Sequence, residues 1–217
     1  MREAENNKEI LERIKNEAGI KVIVINGLEE ASIVGSASKP EISNKYKYAM
    51  YIDVGGGSTE MTILNNNKII DSNSFKIGTV RLLNNQVEDK EWKAMSKWLN
   101  KYKKDFKKIY CIGSGGNINK LNKLYGRIPE NILSFSNLEY GIDQLKRFSN
   151  EERIEQMGLR PDRADVIVPA AVIFKTIMEQ IGTEQIFVPK VGLSDGLVIN
   201  LYNEYKNKTK KKQILKN

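Results

Sequence analysis

Apolar positions along this chain follow two different periods, and the places where the period changes mark out its elements. From about Asn6 to Glu17 the residues Ile10, Leu11 and Ile14, with Ala18, recur at helical spacing and the run stops at Gly19, which predicts an amphipathic helix. KVIVIN, residues 21–26, then reads as a strand, and Gly27-Leu28-Glu29-Glu30-Ala31 as a turn into a short helix. A loose stretch from Ser36 to Lys45, entered at Gly35 and carrying Ser38 and Pro40, marks a linker between sub-domains. Three apolar runs follow closely, Tyr48 to Val54, Thr59 to Leu64 and Lys68 to Phe75, and their spacing predicts an antiparallel meander.

Between Lys90 and Lys108 the period returns to helical, with Trp92, Met95, Trp98, Leu99, Tyr102 and Phe106 on one face and lysines on the other. A strand, KIYCIG at residues 108–113, leads into a glycine loop and a helix. Helices are expected near 137–148, 151–157 and 163–181, then a strand at 184–189 and a last helix from about Ser194. The sum is an α/β domain with a mixed five-stranded sheet flanked by helices.

Chemistry concentrates at two turns. In YIDVGGGSTEMTIL, residues 51–64, Gly55, Gly56 and Gly57 let the backbone approach an anion closely, with Ser58 beside them and the carboxylates Asp53 and Glu60 on either side. Two acids next to a phosphate repel it unless a cation lies between them, so the pattern implies a hard metal such as Mg²⁺ held by Asp53 and Glu60. The turn lacks the Gly-Lys-Ser/Thr ending of a P-loop and does not open a helix as a dinucleotide fingerprint does. The second turn, Gly113-Ser114-Gly115-Gly116-Asn117, does run from strand to helix, where amides and the helix N-terminus can hold an anion. Ligand-free tight turns are the alternative reading of each.

Composition narrows the chemistry. The 217 residues contain no His, which removes Ser-His-Asp and Cys-His catalysis and His-ligated zinc. A single Cys, Cys111, excludes an internal disulfide, and with no signal segment and no apolar run long enough for a bilayer the expected setting is a reducing cytoplasm without membrane attachment. The net charge of +8 sits largely in the lysine-faced helix and in the tail from Lys206 to Asn217. No aromatics interleave with that tail, so a solvated face is favoured over a specific nucleic-acid site.

The strings NGLEEA, IDVGGGSTE, IGTVRL, IGSGGNINKL and LSDG, in this order from about Arg2 to Tyr202, resemble the exopolyphosphatase and guanosine pentaphosphate phosphatase (Ppx/GppA) family. The resemblance implies a ribonuclease-H-like domain of the actin-like ATPase superfold. It also implies that the family's N-terminal phosphate-binding strand turn is missing. Residues 1–45 would be the remnant of the first half-domain with its linker, and residues 46–217 the second half-domain. Glu30 matches the family's candidate base that activates the attacking water, and Asp53 and Glu60 match the acids that bind the metal or orient that water. Gly55 to Ser58 and Gly113 to Gly116, including Ser114 and Gly115, match the phosphate-holding loops. The implied activity is release of terminal phosphate from inorganic polyphosphate, with hydrolysis of the guanosine pentaphosphate 5′-phosphate or substrate binding without turnover as alternatives. The partners implied are the missing half-domain or, over the exposed strand edge of the opening segment, a second copy in a homodimer. After Leu193-Ser194-Asp195-Gly196 the chain departs from the family's usual Leu-Arg-Glu-Gly, having Leu197-Val198-Ile199-Asn200 instead.

Overall fold

The computed structural model describes residues 6–25, 29, 33, 46–65, 68–189 and 193–214. Helix α1 spans Asn7–Ala18 and ends on Gly19, whose φ of 67° is the left-handed cap that glycine supplies at least cost. The meander follows as β1 (Tyr48–Val54), β2 (Thr59–Asn65) and β3 (Lys68–Phe75). Two helices come next, α2 (Thr79–Leu83) and α3 (Asp89–Asn100), and a 3₁₀ turn, Lys103–Lys108, leads into β4 (Ile109–Ser114). Then come α4 (Gly116–Tyr125), β5 (Ile132–Ser134), α5 (Phe135–Lys146), α6 (Asn150–Glu155), α7 (Pro161–Ala164), α8 (Ile167–Ile181), β6 (Gln185–Phe187) and α9 (Leu193–Ile214). Among the described residues no helix is long and apolar enough to cross a membrane.

The strands form one mixed sheet in the order β3-β2-β1-β4-β6-β5, six strands rather than the five expected. The extra strand, β5, pairs antiparallel with β6 at the sheet edge and is three residues long, too short to show a period of two in the sequence. KVIVIN is a second correction. Its described residues 21–25 form no strand, and Val22, Ile23 and Val24 are exposed. β-branched residues favour a strand only where a neighbouring edge pairs with them. The predicted helix at 90–108 divides into α3 and the 3₁₀ turn, and the one at 163–181 into α7 and α8. The linker stretch 36–45 lies outside the described residues.

β1 pairs antiparallel with β2 on one side and parallel with β4 on the other. The chain therefore leaves β1 in one direction and returns beside it from the other. The crevice outside the carboxyl ends of strands at such a reversal is where open α/β sheets bind ligands.

The two faces of the sheet are covered unequally. Met50, Ile52 and Val54 of β1, with Met61 and Ile63 of β2, join the main core, where α8 buries nine residues, including Phe174 and Ile177, and packs against α2, α4 and α5. Among the described residues the opposite face carries a smaller cluster: Ala49, Tyr51, Leu64 and Ile112, with Tyr110 and Phe187. Because side chains alternate along a strand, Asp53, Glu60 and Ser114 belong to this second face.

Candidate active site

The first glycine loop is a hairpin turn, as its sequence predicted. Asp53 of β1 pairs directly with Glu60 of β2, so the two carboxylates stand side by side. Gly55 N–H donates to the Ser58 carbonyl at 2.9 Å and closes the turn. The turn's own carbonyls then face the start of α2: Gly55 O accepts from Thr79 N at 2.9 Å, Gly56 O from Val80 N at 3.0 Å, and Gly57 O from Arg81 Nε at 2.8 Å. A trans peptide directs its N–H opposite to its C=O. The amides of Gly56, Gly57 and Ser58 accordingly point away from α2.

The contact with α2 is close because Gly78 allows it. A Cβ there would lie 2.3 Å from Gly56 O and 2.4 Å from Gly57 C. Thr59 is fully buried, and its hydroxyl donates to Ile77 O at 2.5 Å, fixing the approach of this segment. Glu60 Oε1 accepts from Ser58 Oγ at 2.6 Å and from Ser74 Oγ at 3.2 Å, which sets the orientation of the carboxylate. Arg81 thus bonds to the loop backbone.

The second loop leaves β4 at Ser114, which pairs with Asp53 across the parallel ladder. Gly115 has φ of 102°, and a Cβ on it would sit 2.8 Å from Asp53 Oδ1. A Cβ on Gly116 would lie 2.2 Å from both terminal nitrogens of Arg163. Gly113 lies within β4 rather than in the turn, and the space its side chain would need is filled by Ile118 and Ile186. The two loops meet at one cavity of about 260 Å³, lined by Gly56, Thr79 and Val80 on one side and by Gly116, Asn117, Asp162 and Arg163 on the other.

Glu30 lies outside the described residues. Arg163 was missed by sequence reasoning. No local feature of the sequence marks it, since what it packs over is Gly116, far away in the chain. Lys120, in the first turns of α4, is tied down by bonds to Met157 O (3.1 Å) and Gly158 O (2.9 Å). Burial, with the charges of Lys123 and Arg163, holds its ammonium below the usual lysine range.

A profile of the Ppx/GppA phosphatase family matches residues 1–204, nearly the whole chain. The chain belongs to the Ppx/GppA phosphatase family. The bifunctional 3-dehydroquinate synthase/phosphatase of Fusobacterium nucleatum is 29% identical over 209 residues, 86% of this chain and 31% of that protein. Exopolyphosphatase 1 of Mycobacterium leprae is 22% identical over 92% of this chain and 65% of its own length. The crystal structure of the Aquifex aeolicus member of the Ppx/GppA family superposes with a TM-score of 0.67 at 27% identity, over 94% of this chain and 72% of that one. The fold is the ribonuclease-H-like, actin-like ATPase domain of that family. The chain spans less than two thirds of the length of these two curated relatives.

The Ppx/GppA strings of this chain fall on the elements described: IDVGGGSTE on β1, its turn and β2; IGTVRL on the segment that braces the turn; IGSGGNINKL on β4 and α4. Among the described residues no group of three or more His, Cys, Asp or Glu could hold a metal by itself. The Asp53 and Glu60 pair nevertheless fits a hard divalent ion of the Mg²⁺ type. Such an ion takes one or two carboxylates from the protein and fills its remaining positions with water and substrate phosphate.

Proposed function

We propose that the chain belongs to a metal-dependent phosphoanhydride hydrolase that releases terminal orthophosphate from inorganic polyphosphate. The observation that carries this reading is the adjacency of the two glycine loops at the ends of β1 and β4, where Asp53 pairs with Glu60 on one side and with Ser114 on the other. Amides of Gly56, Gly57 and Ser58, turned away from α2, and the N-terminal end of α4 at Gly115 and Gly116 supply donors for phosphate oxygens. Asp53 and Glu60 would hold the divalent ion, which when bound neutralises phosphate charge and draws the chain end between the loops. Arg163 adds a guanidinium to a site whose other charged groups include two carboxylates, Asp53 and Glu60. Glu30 is assigned the base that takes the proton of the attacking water, on the match to the family's string. Catalysis is positioning and charge compensation, with no covalent intermediate.

Residues 46–217 are assigned to the second half-domain and residues 1–45 to the first. Two observations support this division. Among the described residues the sheet lies within residues 48–187, and α1 buries none of its residues. Apolar side chains are exposed both before the sheet, at Ile20, Val22, Ile23 and Val24, and after it, at Leu197, Val198, Leu201, Tyr202 and Tyr205. A first half-domain, or a second copy of the chain, would cover them.

The test is phosphate release from polyphosphate, guanosine pentaphosphate and ATP, each with and without Mg²⁺, using this chain and a form extended by a first half-domain. Metal-dependent release from polyphosphate above the other two is expected, at least about 10²-fold faster in the extended form, because a clamp made from one wall only loses transition-state stabilisation. In that form Glu30→Gln lowers kcat by about 10²-fold with little change in KM. Preference for the pentaphosphate nucleotide would move the assignment to the guanosine phosphohydrolase. Binding of all three without release would leave a binding module.

A further inference from the structure

Helix α3 carries a row of lysines that the proposed chemistry leaves unused. Lys90, Lys93, Lys97 and Lys101 recur at steps of three or four residues, which puts them on one face, and all four are exposed. Lys104 is exposed in the 3₁₀ turn that follows. The opposite face of α3 enters the core through Met95, Trp98 and Leu99.

The start of α3 is tied to the segment that braces the first loop, and the row leads away from there. At the start of α3, Glu91 Oε2 accepts from Lys76 N at 3.0 Å, two residues before the Gly78 that packs on Gly56 and Gly57. At the far end Tyr102 donates to Asp71 at 2.7 Å, and Lys101 lies 3.5 Å from the same carboxylate. Between Lys90 and Lys101 the helix rises about 16 Å, at 1.5 Å per residue.

Acids stand at both ends of the row, Glu88, Asp89 and Glu91 at the start of α3, where the helix dipole favours them, and Asp71 and Asp105 at its far end. Glu88 pairs with Lys90 at 2.7 Å, and Glu91 holds the Lys76 amide. Lys93, Lys97 and Lys104 enter none of the ion pairs found among the described residues. Among the described side chains no exposed aromatic ring stands within the row, because Trp98 is buried and Trp92 and Tyr102 are half-buried against the core. A single-stranded nucleic acid would want such rings for base stacking.

We infer that the lysine row of α3 is an anchoring track for the distal part of a long inorganic polyphosphate whose terminal phosphate lies at the glycine loops. This rests on the function proposed above and extends it. Charge complementarity and continuity with the loops favour a chain of phosphates with no bases. Such a track increases the residence of chains long enough to engage both the loops and the lysines, and leaves shorter ones unaffected.

Binding of long-chain polyphosphate and of tripolyphosphate to the full chain, measured over a range of salt, tests the inference without requiring turnover. The variant Lys93→Gln/Lys97→Gln/Lys104→Gln keeps helix-forming residues at the α3 positions, and an unchanged far-UV circular dichroism spectrum verifies its fold. At low salt it should bind long-chain polyphosphate about tenfold or more weakly. Its slope of log K against log salt should be shallower by about two, for three lysines at roughly 0.7 each, as on a single-stranded polyanion. Tripolyphosphate binding should not change. Unchanged long-chain binding, or equal weakening for both ligands, would overturn the track. So would single-stranded DNA that binds as tightly and loses as much. Absence of phosphate release from either polyphosphate would count against the hydrolase reading, while these binding results would still decide the track.

Discussion

The two glycine loops look alike in sequence but depend on glycine for different reasons. In the first, the close contact is backbone on backbone: Gly78 lies against Gly56 and Gly57, and their carbonyls accept from the start of α2 and from Arg81. In the second, glycine makes room for charged side chains from elsewhere, Asp53 over Gly115 and Arg163 over Gly116. A backbone carbonyl inside a braced turn cannot move aside, whereas the end of an arginine can. The first loop is therefore coupled to the stability of the fold, and the second to the charge balance of the site.

The largest consequence should follow from Gly78→Ala. A Cβ 2.3 Å from a backbone oxygen forces the turn and α2 apart, at a cost of about 3 kcal/mol. The urea midpoint should fall accordingly, and phosphate release should be lost with it. An unchanged midpoint would remove the distinction between the loops. Arg81→Ala comes next. It deletes a charged, half-buried bond to Gly57 O and should destabilise the fold by about 1–2 kcal/mol. Arg81→Lys cannot reproduce the planar Nε donor and should recover only part of the loss.

At the second loop Gly116→Ala and Arg163→Ala should act through the same guanidinium, one by displacing it and one by deleting it. Each is expected to raise KM for polyphosphate about tenfold, and the double variant no further, with little change in thermal midpoint. Additive losses would mean that Gly116 and Arg163 contribute independently.

The hairpin at Asp53 to Glu60 was legible in the sequence because a period of two on both sides of three glycines admits no helix at Thr59, and Thr59 does open β2. Helices α5, α6 and α8 and the strand at β6 were legible for the same kind of reason. The brace behind the first loop was not. It joins residues about 24 apart through carbonyl contacts, and backbone acceptors leave no mark on residue type. Arg163 was equally hidden, since its partner is the absence of a side chain at Gly116, 47 positions earlier. KVIVIN misled because its composition suits a strand, while pairing depends on an edge that the described residues do not provide. Gly113 shows the same limitation of local reading: it belongs to a loop-like string, but it is a strand residue whose missing side chain is required by Ile118 and Ile186.

The smallest expected effect belongs to a region remote from both loops and tests whether the comparison is specific. Asp71 on β3 is partly buried, which pushes its carboxyl up, but the Tyr102 hydroxyl and the Lys101 ammonium outweigh burial and hold it below the usual aspartate range. A carboxyl whose pKa is lower in the folded chain adds stability above its unfolded value, about 3.9, and loses that contribution as pH falls through its folded value. Asp71→Asn should therefore lower stability at neutral pH by less than about 1 kcal/mol, since the pair is near the surface. The difference from the unsubstituted chain should disappear in acid, where the native carboxyl is also protonated. Tyr102→Phe removes the hydroxyl and should reduce the same acid dependence. Neither change should alter phosphate release, because Asp71 stands four residues along β3 from Phe75, away from the strand ends that carry the loops. If either variant lowered kcat/KM by an amount similar to Arg163→Ala, β3 would be transmitting its state to Glu60 through Ser74, and the assignment of site chemistry to the two loops alone would fail.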